Sequence, residues 1–223
     1  MAEYHIPVLY NECLEALNIQ PDGVYIDATF GGGGHSRGIL EKLGPNGKLY
    51  SFDQDQDAKV NAEDLKNDKR FTFIAANFRH IAKYLRMFGI KKVDGILADL
   101  GVSSHQIDEP SRGFSTRFDG PLDMRMNRSS ELSAFEVINK YSEKDLHKIL
   151  GMYGEVKNAK TLAASIVVAR TNQKIESIAD LKKILNKYTP RGKENKYLAQ
   201  VFQGIRIEVN QELEALKEFL MEA

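Results

Sequence analysis

Four consecutive glycines placed just after a short apolar stretch constrain this chain more than any other feature. Val24-Tyr25-Ile26-Asp27 reads as a strand, Phe30-Gly31-Gly32-Gly33-Gly34-His35 as a tight turn, and a helix is expected from Ser36. Glycine lets the chain turn sharply and lets a ligand approach the backbone. A helix opening at such a turn presents N–H groups that donate to an anionic or nucleotide-bearing ligand. Asp53 lies 20 positions after Gly33, at the end of the next expected strand, where a carboxylate can accept both hydroxyls of a ribose. Neither register of G-x-G-x-x-G is complete, because Ser36 or Arg37 stands at the third glycine. That weighs against a dinucleotide and for S-adenosylmethionine, which carries adenosine and a carboxylate but no pyrophosphate. The competing reading is a plain glycine-rich turn with a solvated Asp53.

The pattern around this unit is helix-punctuated apolar strands, which predicts an α/β fold with a mainly parallel sheet covered on both faces. Strands are expected at 24–27, 48–52, 71–75 and 93–98, and helices at 8–19, 36–44, 55–65 and 78–88. The rhythm breaks over 101–130, which is rich in Ser, Gly, Pro, Arg and Asp and reads as a functional loop without periodicity. Helices follow near 131–140, 142–152, 156–171 and 177–188. Ser142 and Ser177 resemble capping boxes with Asp145 and Asp180 in the usual Glu place. One long helix over 198–221 is expected to return to the sheet. The organisation predicted is a cofactor-binding domain over 1–110, an all-α insertion over 111–195, and the return helix over 196–223.

Asp99 ends the fourth expected strand, so it would face a ligand held by Gly33 and Asp53 beyond the carboxyl ends of the strands; a plain turn-capping role is equally compatible. Phe78 follows the third strand and could flank an adenine ring or simply fill the core. Lys and Arg (31) balance Asp and Glu (31), so any nucleic-acid contact must come from local patches. Two patches stand out. Arg112, Arg117, Arg125 and Arg128 are interleaved with Phe114 and Phe118, a pairing suited to phosphates and unstacked bases. The stretch 182–196 holds six basic residues against Glu194 alone. Cys13 is the single cysteine and the five histidines lack ligand spacing, so neither a disulfide nor a metal site is expected. No apolar run approaches the ~20 residues of a membrane span, and a cytoplasmic protein is expected.

Several strings are distinctive together: His5-Ile6-Pro7-Val8-Leu9, Tyr25 to Ser36, Asp94 to Ser104, Arg112-Gly113-Phe114-Ser115, Asp119-Gly120-Pro121-Leu122-Asp123-Met124-Arg125-Met126, and Phe202 to Ile207 with Val209-Asn210. On these the chain resembles the bacterial 16S ribosomal RNA cytosine-N4 methyltransferases along essentially its whole length. The resemblance implies a Rossmann-like class I methyltransferase with a helical, RNA-binding insertion. It implies S-adenosylmethionine as cofactor and small-subunit ribosomal RNA or the 30S particle as partner, with one cytidine of the decoding region as target. Its cofactor positions fall on Gly33, Gly34, His35, Asp53, Phe78, Asp99 and Gln106, with Asp99 the candidate catalytic proton acceptor. Arg112, Phe114, Arg117, Phe118, Arg125 and Lys193 are the RNA-binding candidates. The family carries further sheet strands after the point where this sequence stops at Ala223, so an exposed fourth strand and weakened transfer are expected. Cys13, ahead of the first strand, is badly placed for attack on a ring, so cytosine C5 chemistry is not expected. The alternative of another class is a non-catalytic RNA- or nucleotide-binding module on the same fold; an NAD-dependent oxidoreductase is more remote. The oligomeric state stays open between monomer and homodimer.

Overall fold

The computed structural model describes residues 7–223; His5 and Ile6 of the first distinctive string lie outside the described residues. In chain order the elements are α1 (Tyr10–Ala16), β1 (Val24–Asp27), α2 (Gly34–Lys42), β2 (Lys48–Phe52), α3 (Gln56–Asn61), β3 (Phe71–Ile74), α4 (Ile81–Met87) and β4 (Gly95–Leu97). Helices α5 (Ser104–Asp108), α6 (Ala134–Lys140), α7 (Glu143–Lys148), α8 (Ala159–Asn172), α9 (Ile178–Leu185), α10 (Glu194–Asn210) and α11 (Glu212–Glu222) complete it. The chain forms two compact units. One comprises the residues up to Ser103 together with Glu214–Ala223, the other Ser104–Leu213.

The first unit is built on a four-stranded parallel sheet of order β3-β2-β1-β4. Ile26 of the central β1 faces Tyr50 on one side and Ile96 on the other. Alternation along the strands sends Tyr25, Leu49 and Phe71 to one face, where they bury with Leu14, Ile39 and Leu40 from α1 and α2. Ile26, Tyr50, Phe52 and Ile74 go to the opposite face with Ile81 and Phe219 from α4 and α11. Strands sandwiched in this way are apolar at most positions, which is why they read as short near-continuous runs. All four expected strands form, the fourth shortened to three residues, and β4 is an edge of the described sheet.

In the second unit, α6 to α10 bury one apolar core that includes Val137, Leu146, Leu162, Leu181, Val201 and Ile205. Ser177 and Asp180 form a reciprocal capping box. Ser142 accepts from Asp145 N–H, but its hydroxyl donates to the Asp145 carboxylate at 2.6 Å, so that box closes between side chains. The helix expected over 142–152 continues past Lys148 as a π-helical turn, Ile149–Tyr153.

Two expectations are corrected by the fold. The stretch 198–221 is two helices, because Gln211 adopts the left-handed conformation (φ 50°, ψ 39°) and stops α10. Residues 196–213 therefore belong to the helical unit, and only Glu214–Ala223 joins the sheet. The segment 101–130 is an ordered lock, not a structureless loop. It contains α5 and a 3₁₀ turn at Pro110–Arg112. Asp119 accepts from Gly120 and Ala179 N–H, and Asn210 clamps Met126 N–H and Met124 C=O. Gly113 sits at φ 71°, where a Cβ would lie 2.3 Å from the Pro121 carbonyl oxygen.

The arginines of that segment are largely consumed by it. Arg112 is 1% exposed and donates to the carbonyls of Arg125 and Met126 at 3.0 and 3.2 Å. Arg125 makes a two-pronged pair with Asp123 and donates to Ser130 C=O. Phe114 packs against the helical core. Arg112 thus presents no surface to RNA, and Arg125 is committed to its own loop. Arg112→Ala is expected to lower stability by about 1.5–3 kcal/mol, the range for hydrogen bonds from a charged donor whose partners stay buried. Urea denaturation followed by circular dichroism measures it; an unchanged midpoint would contradict the structural role.

Candidate active site

The strand order places β1 between β2 and β4, and the segment leaving β1 divides its hydrogen bonds between them. Ala28 N–H donates to Leu97 C=O and Phe30 N–H to Phe52 C=O, both at 2.8 Å. Where neighbouring connections part in this way, an open α/β sheet forms its ligand crevice. Asp99 N–H donates to Thr29 Oγ1 at 2.7 Å, which ties the end of β4 to the same segment. Gly31 N–H donates to Asp53 Oδ2 at 2.7 Å and ties the end of β2 to the glycine turn. Gly33, at φ 77°, is the residue before α2. A Cβ there would stand 2.6 Å from the Phe30 ring, so this turn admits glycine alone. Over Gly32, by contrast, nothing lies within 4 Å of the Cβ position, and a ligand can approach the backbone.

Beneath the turn is Asp27, which is wholly buried. One carboxylate oxygen accepts from Thr29 N–H at 3.1 Å, the other from Ser36 Oγ at 2.7 Å, and Ser36 reaches Ser51 Oγ at 2.8 Å. Burial pushes its carboxyl up from the usual range, with the nearby Asp99 charge adding in the same direction. Asp53 is raised to about 6 by burial, despite its bonds from Asp55 and Gly31 N–H, with Asp55 and Asp27 adding repulsion. The buried Asp27 carboxylate therefore lies close enough to Asp53 at the crevice to disfavour its charge, and Asp99 does the same to Asp27. Such a site gains from a cationic ligand.

Because the folded protein binds the Asp53 proton more tightly than the unfolded chain, this group's contribution improves as pH falls through about 6 towards 4. The stability difference between wild type and Asp53→Ala is expected to move in favour of wild type over that interval. Urea denaturation of both proteins at about pH 7.5 and 4.5 checks it; a pH-independent difference would mean the carboxyl is not raised.

The sheet unit holds Gly33, Gly34, His35, Asp53 and Asp99 of the expected cofactor positions about the turn after β1, and Phe78 after β3. Asp99 is exposed at the crevice. Phe78 is half-buried and meets the edge of Phe219 with ring centroids 5.3 Å apart, so it does core work on that side. The His35 ring is buried, stacked on Tyr10 at 6.1 Å, and its Nε2 has no hydrogen-bond partner among the described residues. Gln106 is buried on α5 of the helical unit. Asp27, Ser36 and Ser51 were not singled out from sequence; the signal available was a carboxylate ending an apolar strand, followed nine residues on by serine. Of the RNA candidates, Arg117, Phe118 and Lys193 are exposed, with Arg117 lying 5.4 Å over the Phe118 ring and paired to Asp108. Among the described residues no group of His, Cys, Asp and Glu could hold a metal ion, and no helix is long and apolar enough to cross a membrane.

Comparison with known proteins gives a consistent result. The sequence pattern of the MraW methylase family matches residues 2–223. The ribosomal RNA small subunit methyltransferase H of Cytophaga hutchinsonii is 62% identical over 97% of this chain and 72% of its own length. The protein of the same name from Flavobacterium johnsoniae is 58% identical over 98% of this chain and 71% of its own. Among solved structures, a Streptococcus mutans methyltransferase in complex with SAH superposes loosely, with a TM-score of 0.36 and 24% identity, covering 48% of this chain and 61% of that one.

Proposed function

We propose that this chain, which belongs to the MraW methylase family, transfers the methyl group of S-adenosylmethionine to the N4 amine of a cytidine in the decoding region of small-subunit ribosomal RNA. The observation that carries the reading is the crevice at the ends of β1, β2 and β4, where Gly31 N–H and Asp53 are joined and Asp99 stands open. Open space over Gly32 and the clustered Asp27, Asp53 and Asp99 fit a cationic adenosyl ligand without a pyrophosphate. The relatives' names support ribosomal RNA of the small subunit as substrate.

Bound there, S-adenosylmethionine supplies an electrophilic methyl group on a sulfonium. This chain's residues do the rest. Asp53 accepts from the ribose hydroxyls, the turn after β1 offers backbone N–H groups, and Phe78 flanks the adenine. Gly33, Gly34 and His35 belong to the cofactor set that the family resemblance implies. The cytosine amine is a weak nucleophile because its lone pair is delocalised into the ring. It must be held in line and relieved of a proton as it becomes tetrahedral. Asp99 is the acceptor for that proton. Arg117, Phe118 and Lys193 contact the RNA, which must offer the base unstacked or flipped out.

Asp53→Ala is expected to weaken S-adenosylmethionine binding about 10- to 150-fold, the equivalent of one or two charged hydrogen bonds. Calorimetry measures it. Asp99→Ala is expected to slow single-turnover methylation of unmodified small-subunit particles by about 10²–10⁴-fold at saturating cofactor. Mass mapping of the product nucleoside decides between N4 and other positions. Methyl transfer at an undiminished rate by Asp99→Ala would remove the proton-acceptor role.

A further inference from the structure

The helical unit contains a cavity of about 590 Å³ between the start of α8 and the start of α10, lined by Lys157, Asn158, Pro190, Lys193, Lys196 and Tyr197 among others. That volume is in the range of ligand sites, ~300–1,000 Å³. Its three lysines are exposed, and none has an ion pair or side-chain hydrogen bond among the described residues.

The remaining lining sharpens the ligand class. Glu194 is the only acid in it, and its carboxylate turns back on Gly192 N–H at 2.9 Å. The Asn158 amide is spent on Tyr188 C=O and the Tyr197 hydroxyl, and the Gln200 amide donates to Glu155 C=O. Two of its three amides are committed in this way, Asn195 being the third, and the three lysines give the cavity much to attract negative oxygen. Asn158 and Lys193 are also the N-cap residues of α8 and α10, and neither caps its helix through its side chain. The positive ends of two long helices add to the lysines.

We propose that this cavity is a phosphate-binding anchor for single-stranded RNA. It grips up to three backbone phosphates, one at each of Lys157, Lys193 and Lys196. The proposal rests on the RNA-substrate reading above and gives its Lys193 contact a defined cavity, one that adds affinity without sequence preference.

The test uses the 223-residue protein, a fluorescein-labelled decamer of uridylate, and anisotropy titrations across a range of salt concentrations. Lys157→Ala/Lys196→Ala is expected to flatten the log–log salt slope by about 1.4, roughly 0.7 for each single-strand phosphate that the protein ceases to neutralise. Lys193→Ala should flatten it by about 0.7. The same two-charge loss at Lys91 and Lys92, exposed on the sheet unit, should leave the slope unchanged. Equal flattening by both double variants, or no change in either, overturns the anchor. Displacement of the decamer by inorganic phosphate at matched phosphate concentration would also overturn it, in favour of a small-anion site. Calorimetry with S-adenosylmethionine runs in parallel. Normal cofactor binding with an unchanged slope sinks the anchor alone, and a flattened slope without cofactor binding sinks the methyltransferase reading alone.

Discussion

The Asp27 carboxylate, sealed at the end of β1, is joined to Thr29 N–H on one side and to Ser36 on the other, with Ser51 completing the chain. This one buried group links the central strand, the first turn of α2 and the neighbouring β2. A carboxylate buried there is costly unless its lone pairs are filled. Its partners are therefore the residues that fix where the glycine turn must run. The position of Gly31, and through Gly31 N–H the position of Asp53, follows from that turn. The like charges of Asp27, Asp53 and Asp99 set the electrostatic character of the same crevice.

Much of the sheet unit was legible because its signals are local. The strands are short apolar runs bounded by Gly, Pro and Asp, and β1 and β2 fall on the expected residues. Asp53 and Asp99 were legible because a carboxylate ending a strand of an open sheet has few places to point. Gln211 was not: a single left-handed residue between two helical segments carries no turn signature, and glutamine is a good helix former. The helical periodicity runs on through it, so one helix was read where two exist.

The arginine loop shows a different limit. Arg112 and Arg125 stand among aromatics and aspartates, a composition that suits nucleic acid as well as it suits a self-bonded loop. Composition cannot say whether a guanidinium points outward or satisfies carbonyls of its own segment. In the fold, the tight approach at Gly113 and the clamp from Asn210 leave those arginines facing in. The distinctive Asp119 to Met126 string is accordingly a structural lock in the helical unit, and the lysines about the cavity between α8 and α10 are among its cations that face out.

The bond from Gly31 N–H to Asp53 bears on the speed of ligand capture. A carboxylate has about four lone-pair sites, and here two are taken, by the N–H groups of Gly31 and Asp55. Two remain, one on each oxygen, for an incoming vicinal diol. The incoming molecule adds to the existing bonds and breaks none of them. Encounter then requires no prior rearrangement of the turn, and the association rate is governed by diffusion and the shedding of water.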